Sequence, residues 1–168
     1  MGVAHCPVSN MRLGSGVCRV NDLLAAGASV GLGVDGSASN DSGHLLNEAR
    51  SALLMARVTH GAGAMSPERA LEIATLGGAS NLGRLADLGS LEAGKCADLA
   101  VFPAEDLFSN GAHDPVHGLM LCHARNVDAL VVHGHVRVRE GRIVGMDLGP
   151  LLERHRRTAR RFHEGYPR

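Results

Sequence analysis

Aromatic residues are nearly absent from this sequence: one Tyr, three Phe and no Trp in 168 positions, 2% in all. Single-strand nucleic-acid binders and many protein interfaces use aromatic rings as stacking platforms and anchors, so both classes lose support. An aromatic-lined pocket cannot come from this chain alone. There is no excess charge either: 17 Lys and Arg balance 17 Asp and Glu, which removes the electrostatic case for nucleic acid or an acidic membrane surface. No apolar run approaches the ~20 residues of a membrane span, and the first residues lack the charged-then-apolar pattern of a secretory leader. A cytoplasmic protein with no membrane or nucleic-acid partner is expected. Cys6, Cys18, Cys96 and Cys122 form no CxxC pair, so neither a zinc ribbon nor a disulfide framework is signalled, and they read as reduced thiols. What is present is 45% apolar residues, enough to bury one core, and the expected partner is a small molecule.

Along the chain, Gly2 to Cys6 is short, apolar and closed by Pro7, and Val8 to Gly16, rich in Ser, Asn and Gly, reads as a loop. Val20 to Ala26 carries apolar residues at helical spacing and stops at Gly27. Ala28 to Val34 is a second short apolar run that ends at Asp35, before the small polar loop 36–43. Strand, loop, helix, strand is a parallel βαβ unit. From His44 to about Thr59 the apolar positions Leu45, Leu46, Ala49, Ala52, Leu53 and Ala56 fall on one helical face. Ser66 and Pro67 open another helix as N-cap and first residue; it is expected to run to Leu76 and to end at Gly77-Gly78, with a further helical turn through Leu82.

At Gly89 the texture changes. Leu91 to Lys95 is a turn, Ala97 to Phe102 a strand, and Asp128 to Val132, Val136 to Val138 and Arg142 to Val144 three more, with turns at Gly134 and Glu140-Gly141. This is an antiparallel β module. Pro103 to Asn126 reads mostly as loop with a helical turn near Leu119, and Leu148 to about His163 as a helix with a basic face. The opening Met1-Gly2-Val3-Ala4-His5 looks like a chain entered in mid-strand, so a truncated protein is expected.

Two parallel strands, each followed by a small polar loop, place those loops side by side at the carboxyl edge of the sheet, where α/β folds carry their active sites. Asp35 sits at that edge. A carboxylate there suits a metal ligand or a general base; the structural alternative is an Asp that caps its own loop. His5, at the end of the first strand, is a candidate pocket residue or a packed histidine. Ser9, Asn10 and Arg12, in the loop after it, are candidates for substrate binding that equally suit a loop held by its own hydrogen bonds.

Two stretches, His5-Cys6-Pro7-Val8-Ser9-Asn10-Met11-Arg12-Leu13-Gly14-Ser15-Gly16 and Gly31-Leu32-Gly33-Val34-Asp35-Gly36-Ser37-Ala38-Ser39-Asn40-Asp41, resemble the last two barrel strands of the amidohydrolase superfamily. The likeness is to its cytosine-deaminase-like and triazine-hydrolase branch, and within that to the 8-oxoguanine deaminases. It continues through Ala74 to Ala79, Gly89 to Leu99 and His113 to Val144, so it covers nearly the whole chain. The resemblance implies the last two strand–helix units of a (β/α)8 TIM barrel over residues 1–88, the C-terminal part of a flanking β-sandwich over 89–147, and a terminal helix over 148–168. A whole barrel takes roughly 200 residues or more, so a C-terminal fragment is expected.

The resemblance further implies one divalent metal, zinc or iron, held by a His-x-His pair and two more histidines on earlier strands together with an Asp on the eighth. Only that Asp has a counterpart here, Asp35. In the family it takes a proton from the attacking water and returns it to the departing amine, while a Glu on the fifth strand protonates the ring. The implied activity is hydrolytic deamination of an aminated heterocycle, 8-oxoguanine or a related purine or triazine, by a homo-oligomeric parent. The isolated chain is expected to be inactive; the alternative is a catalytically dead assembly module that pairs with a separate N-terminal chain.

Other motifs carry less. His133-Gly134-His135 has the spelling of a metal pair but falls at a hairpin turn, without a third ligand. His113 and His117 lie in a loop with no recognisable partner spacing. Gly31-x-Gly33-x-x-Gly36 matches the dinucleotide fingerprint only formally, because its glycines lie within the strand. The H-x-E and P-C-x-x-C signature of the other zinc deaminases is absent. Arg154, Arg156, Arg157, Arg160 and Arg161 read as the solvated face of the last helix.

Overall fold

In the computed structural model, which describes residues 1–104, 107–122 and 126–165, strands β1 (Gly2–His5) and β2 (Ser29–Leu32) pair in parallel, with Val3 opposite Val30 and His5 opposite Leu32. Between them lie helices α1 (Pro7–Leu13) and α2 (Val20–Ala25). The expected loop at Val8 to Gly16 is therefore largely helical. Pro7 occupies the first helical turn, where its missing N–H costs nothing, and Gly14, at a φ of 64°, closes the helix in the left-handed conformation.

Helix α3 (Leu45–His60) supplies the core. Its Leu46, Ala49, Ala52, Leu53 and Ala56 are buried, and all of these but Ala52 join Val20, Val30, Met65, Ile73 and Met120 in one apolar cluster. Three alanines on that face let neighbouring backbones come close, and Leu53, with no exposed surface, fills the centre. Helix α4 (Pro67–Glu72) is capped as expected, with the Ser66 hydroxyl accepting from the Arg69 N–H. Gly77-Gly78 does not end it. The chain continues through a π-helical turn (Ile73–Gly77) into α5 (Gly78–Asn81). Gly77 serves close packing: a Cβ there would lie 2.1 Å from the Val30 carbonyl oxygen. Asn81 Nδ2 donates to the Val3 carbonyl at 2.8 Å, and the Ser29 and Ser80 hydroxyls bond at 2.8 Å, so this helix is stitched to both strands.

The second region forms a four-stranded antiparallel meander of β3 (Leu99–Val101), β4 (Ala129–Val132), β5 (His135–Arg139) and β6 (Arg142–Ile143), with an irregularity at Leu130 and Val131. Both hairpins turn through paired residues of positive φ, His133-Gly134 (49° and 77°) and Glu140-Gly141 (51° and 68°), the two-residue turn that matches strand twist. Part of the expected loop from Pro103 to Asn126 is helical, with α6 (Pro115–His117) and a π-helical turn at Gly118–Cys122; its residues 105–106 and 123–125 lie outside the described residues. Helix α7 (Leu148–Gly165) is exposed along its length. Among the described residues, no helix is long and apolar enough to cross a membrane.

His5 is 5% exposed and packs away from solvent, lining a small crevice with Cys18, Val20, Asn21, Ala56 and Thr59. Its Nδ1 has no hydrogen-bond partner among the described residues, and burial holds the imidazole below its ordinary value of 6.5.

Two expectations follow from this packing. Gly77→Ala lowers the stability measured by urea denaturation by about 1–3 kcal/mol, because the methyl meets backbone that cannot move aside, whereas Gly78→Ala, whose Cβ meets nothing within 4 Å, stabilises by up to about 1 kcal/mol. His5 stays neutral in the fold while the unfolded chain takes up a proton near 6.5, so its contribution to stability is intact above that pH and declines as pH falls toward the lowered folded value. Urea midpoints recorded from pH 7.5 to 5 show that decline in the unsubstituted chain and a shallower one in His5→Leu.

Candidate functional site

The parallel register brings both strands out at one edge. Beyond β1 the chain turns at Cys6 into α1, and beyond β2 it runs through Gly33 and Val34 to Asp35. Gly33 N–H donates to the His5 carbonyl at 3.0 Å, which extends the pairing by one residue. The bare Cα of Gly33 makes room for Cys6, since a Cβ there would lie 3.0 Å from the Cys6 sulfur. Asp35 itself has a φ of 60°, a left-handed conformation unusual for a residue with a side chain and tolerated best by Asn and Asp.

The Asp35 carboxylate is met by two hydroxyls on the same oxygen. Ser9 Oγ, from α1, donates to Oδ2 at 2.6 Å, and Ser39 Oγ, from the loop that follows Asp35, donates to Oδ2 at 2.9 Å. The Ser9 bond, then that from Ser39, then the Gly36 N–H hold the Asp35 carboxyl below its usual range, so it is anionic across neutral pH. Ser9 is 2% exposed and Ser39 7%, whereas Asp35 faces outward. The arrangement is a fixed anionic oxygen donor with a dry supporting side and an open front.

Other candidates fall around this pair unevenly. Arg12, one helical turn beyond Ser9, forms an ion pair with Asp41 in the loop after Asp35. Asn10 lies half-buried on α1 beside Ser9. His5 points into the crevice between α2 and α3 described above, whose lining does not include Asp35. The structure thus joins Ser9 directly to Asp35, ties Arg12 to the same loop, and directs His5 elsewhere. Cys6 lies close enough to feel both Asp35 and Glu48: burial first, then the negative charges of these two carboxylates, push its thiol up.

Sequence reasoning passed over Ser39, Asn40 and Glu48. Glu48 has no exposed surface; its Oε2 accepts from the Val8 N–H at 3.1 Å and its Oε1 from Asn40 Nδ2 at 2.7 Å. Its register gave the signal. At three residues from Leu45 and four from Ala52, it falls on the apolar face of α3, where an ionisable side chain requires partners.

A divalent ion bound through nitrogen, sulfur or oxygen takes about four ligands. Asp35 has the chemistry of one of them. The two serines serve it as hydrogen-bond donors, and among the described residues no group of three or more ligand-type side chains includes Asp35. Elsewhere among the described residues, Glu68, Asp114 and His117 bring three ligand-type atoms within 4.8 Å of one another, all exposed. Their closeness is accounted for by the 2.9 Å His117–Glu68 contact and by Asp114 capping α6. His133 and His135 lie on the β4–β5 hairpin, and neither belongs to that cluster.

Residues 1–144 match the amidohydrolase family. The chain is 51% identical over 158 residues to an 8-oxoguanine deaminase of Pseudomonas aeruginosa, covering 94% of this chain and 35% of the relative. Among solved structures it is similar to an adenosine deaminase from Xanthomonas campestris with bound zinc, at a TM-score of 0.91 and 32% identity over 97% of this chain and 38% of that one. It is also similar to the zinc complex of atrazine chlorohydrolase from Arthrobacter aurescens, at a TM-score of 0.85 and 36% identity over 91% and 34%. The chain spans a little over a third of the length of these relatives. Its α/β architecture, its polar loops at the carboxyl edge of a parallel strand pair, and the match over residues 1–144 agree on one assignment: the chain belongs to the amidohydrolase family.

Proposed function

We propose that this chain is the C-terminal part of a metal-dependent amidohydrolase that hydrolytically deaminates an aminated heterocycle, 8-oxoguanine or a related purine or triazine. In this reading β1 and β2 are the last two strands of a (β/α)8 barrel over residues 1–88. The meander is part of a flanking β-sandwich over 89–147, and α7 lies in a terminal segment over 148–168. The observation that carries the reading is the Asp35 carboxylate: outward-facing at the carboxyl edge, held anionic by Ser9 and Ser39. The relative named 8-oxoguanine deaminase, 51% identical, supports the choice of substrate, and the zinc in the two neighbouring structures supports zinc as the metal.

Asp35 would be the one metal ligand this chain provides, with histidines from outside it completing the set. A bound divalent ion supplies a water nucleophile that is active at neutral pH. The residues of this chain handle charge and proton. Asp35, anionic at rest, receives a proton from the attacking water as the new C–O bond forms, and gives it to the amine nitrogen as the C–N bond breaks. The ring C=N bond opens onto its nitrogen as the C–O bond forms, that nitrogen takes a proton from an acid outside this chain, and the hydroxyl proton returns to that acid as the carbonyl forms. Water and the amino-substituted ring thus become an N–H carbonyl unit and ammonia, with the carboxylate restored. Ser9 and Ser39 keep their hydroxyls on Oδ2 throughout and fix the orientation of the group. Asn10 and Arg12, on α1 beside Ser9, line the substrate side in this reading. His5 has the weakest claim to that role, given the crevice it occupies.

The test is zinc content and ammonia release from 8-oxoguanine, measured on the 168-residue chain and on the product of its whole reading frame. The expected result is zinc and turnover in the longer product only if it carries the missing histidines, and neither in the short chain; turnover by the pure short chain contradicts the proposal. In the active form, Asp35→Asn keeps the shape, the hydroxyl bonds and the tolerance for positive φ while losing the charge. It is expected to lower kcat by about 100-fold or more and to weaken zinc retention, with the thermal midpoint little changed.

A further inference from the structure

Glu48 is an ionisable side chain with no exposed surface, set among Ala49, Ala52, Leu53 and Ala56 on the core face of α3. A carboxyl in that position is retained only when it is hydrogen-bonded on every side available to it. Each of its oxygens reaches a different chain segment. Oε2 accepts from the backbone N–H of Val8, at the start of α1, at 3.1 Å. Oε1 accepts from Asn40 Nδ2 at 2.7 Å. Asn40, 3% exposed, also donates to the Val34 carbonyl at 2.8 Å, and its Oδ1 accepts from Ser42 Oγ and the Gly43 N–H, both at 3.2 Å.

The two endpoints are the residues that immediately precede Ser9 and Asp35. One arm of Glu48 therefore fixes the backbone carrying the hydroxyl donor, and the other, through Asn40, fixes the backbone carrying the carboxylate acceptor. The Ser9–Asp35 bond of 2.6 Å closes the ring. The left-handed φ of 60° at Asp35, which Asp tolerates better than most residues with a side chain, is reinforced by this ring. Hydrophobic packing alone would have placed a Leu or Met on this face of α3.

We propose that Glu48 is a positioning residue for Asp35, acting through Val8 and Asn40 to hold the α1 start and the Val34–Asp35 backbone at the spacing that lets Ser9 orient the carboxylate. The proposal rests on the reading of Asp35 as metal ligand and proton carrier. Glu48 touches neither substrate nor metal in it. Its contribution is geometric, and it is shared with Asn40, so the two act as a unit.

The experiment uses the product of the whole reading frame, with Glu48→Gln as the main variant. Glutamine keeps the volume but sets an NH2 donor against one of the two donors that Glu48 accepts from. Zinc affinity by competition with a chromophoric chelator, kcat and KM on 8-oxoguanine, thermal midpoint, and amide hydrogen exchange at Val8, Ser9 and Asp35 are recorded. The expected result is zinc affinity weaker by about tenfold, in the range found when partners behind metal ligands are removed, kcat lower by about tenfold with KM within about twofold, and faster exchange at those amides. Asn40→Ala, which leaves Glu48 its Val8 arm, is expected to give a smaller effect in the same direction, and the double variant no more than Glu48→Gln alone. If Glu48→Gln does not fold, Asn40→Ala carries the test on the same readouts. A lower thermal midpoint or faster exchange with zinc affinity and kcat unchanged makes Glu48 a structural group and overturns the proposal. Absence of zinc and ammonia release from the unsubstituted protein overturns the deaminase reading itself, a separate failure visible before any variant is made.

Discussion

The parallel register of β1 and β2 is the constraint on which the rest depends. Because His5 lies opposite Leu32, both chains leave the pair at the same level and in the same direction, and everything polar that follows them is gathered at one edge. A slip of one residue in either strand would turn its valine, Val3 or Val30, away from the α3 core and carry Asp35 away from Ser9. The register is secured from several directions. Gly77 admits the helix onto Val30, Asn81 grips the Val3 carbonyl, and Glu48 joins the two exits from below.

From that edge the chemistry follows in short steps. A carboxylate on a flexible loop would be a poor ligand and an indifferent proton carrier, because its orientation would have to be fixed anew in each event. Here both hydroxyls converge on one oxygen, which lowers the proton affinity of the group and restricts its rotation together. Among the described residues, no group of three or more ligand-type side chains includes Asp35. The chain covers 35% of the 8-oxoguanine deaminase it matches, and the proposed function draws the remaining metal ligands from outside these residues.

Much of the framework was legible in the sequence because it rests on local periodicity and turn chemistry. The αβ alternation, the long amphipathic α3, the Ser66-Pro67 helix start and the two glycine hairpins all declared themselves through spacing or positive-φ residues. Helix α1 did not, because Val8 to Gly16 has loop composition; its helical form depends on Pro7, on Gly14 and on a Glu48 carboxylate forty residues away. Gly77-Gly78 misled for a related reason. Glycine that ends a helix and glycine that admits a strand backbone look alike until the neighbour is known. At the site, Asp35 stood out by its place after a strand and by resemblance, and Ser9 was named with it. Ser39 and Asn40 were hidden in a run of small polar residues, and Glu48 in a helix whose polar positions seemed to need no explanation.

The central claim is that Asp35 is a metal ligand, and the most direct measurement of it is diffraction at the zinc absorption edge from crystals of the zinc-loaded product of the whole reading frame. The account predicts an anomalous peak about 2.0–2.2 Å from an Asp35 carboxylate oxygen, with histidines from outside these 168 residues completing the coordination. A peak at Glu68, Asp114 and His117, or at His133 and His135, with none beside Asp35, would contradict it.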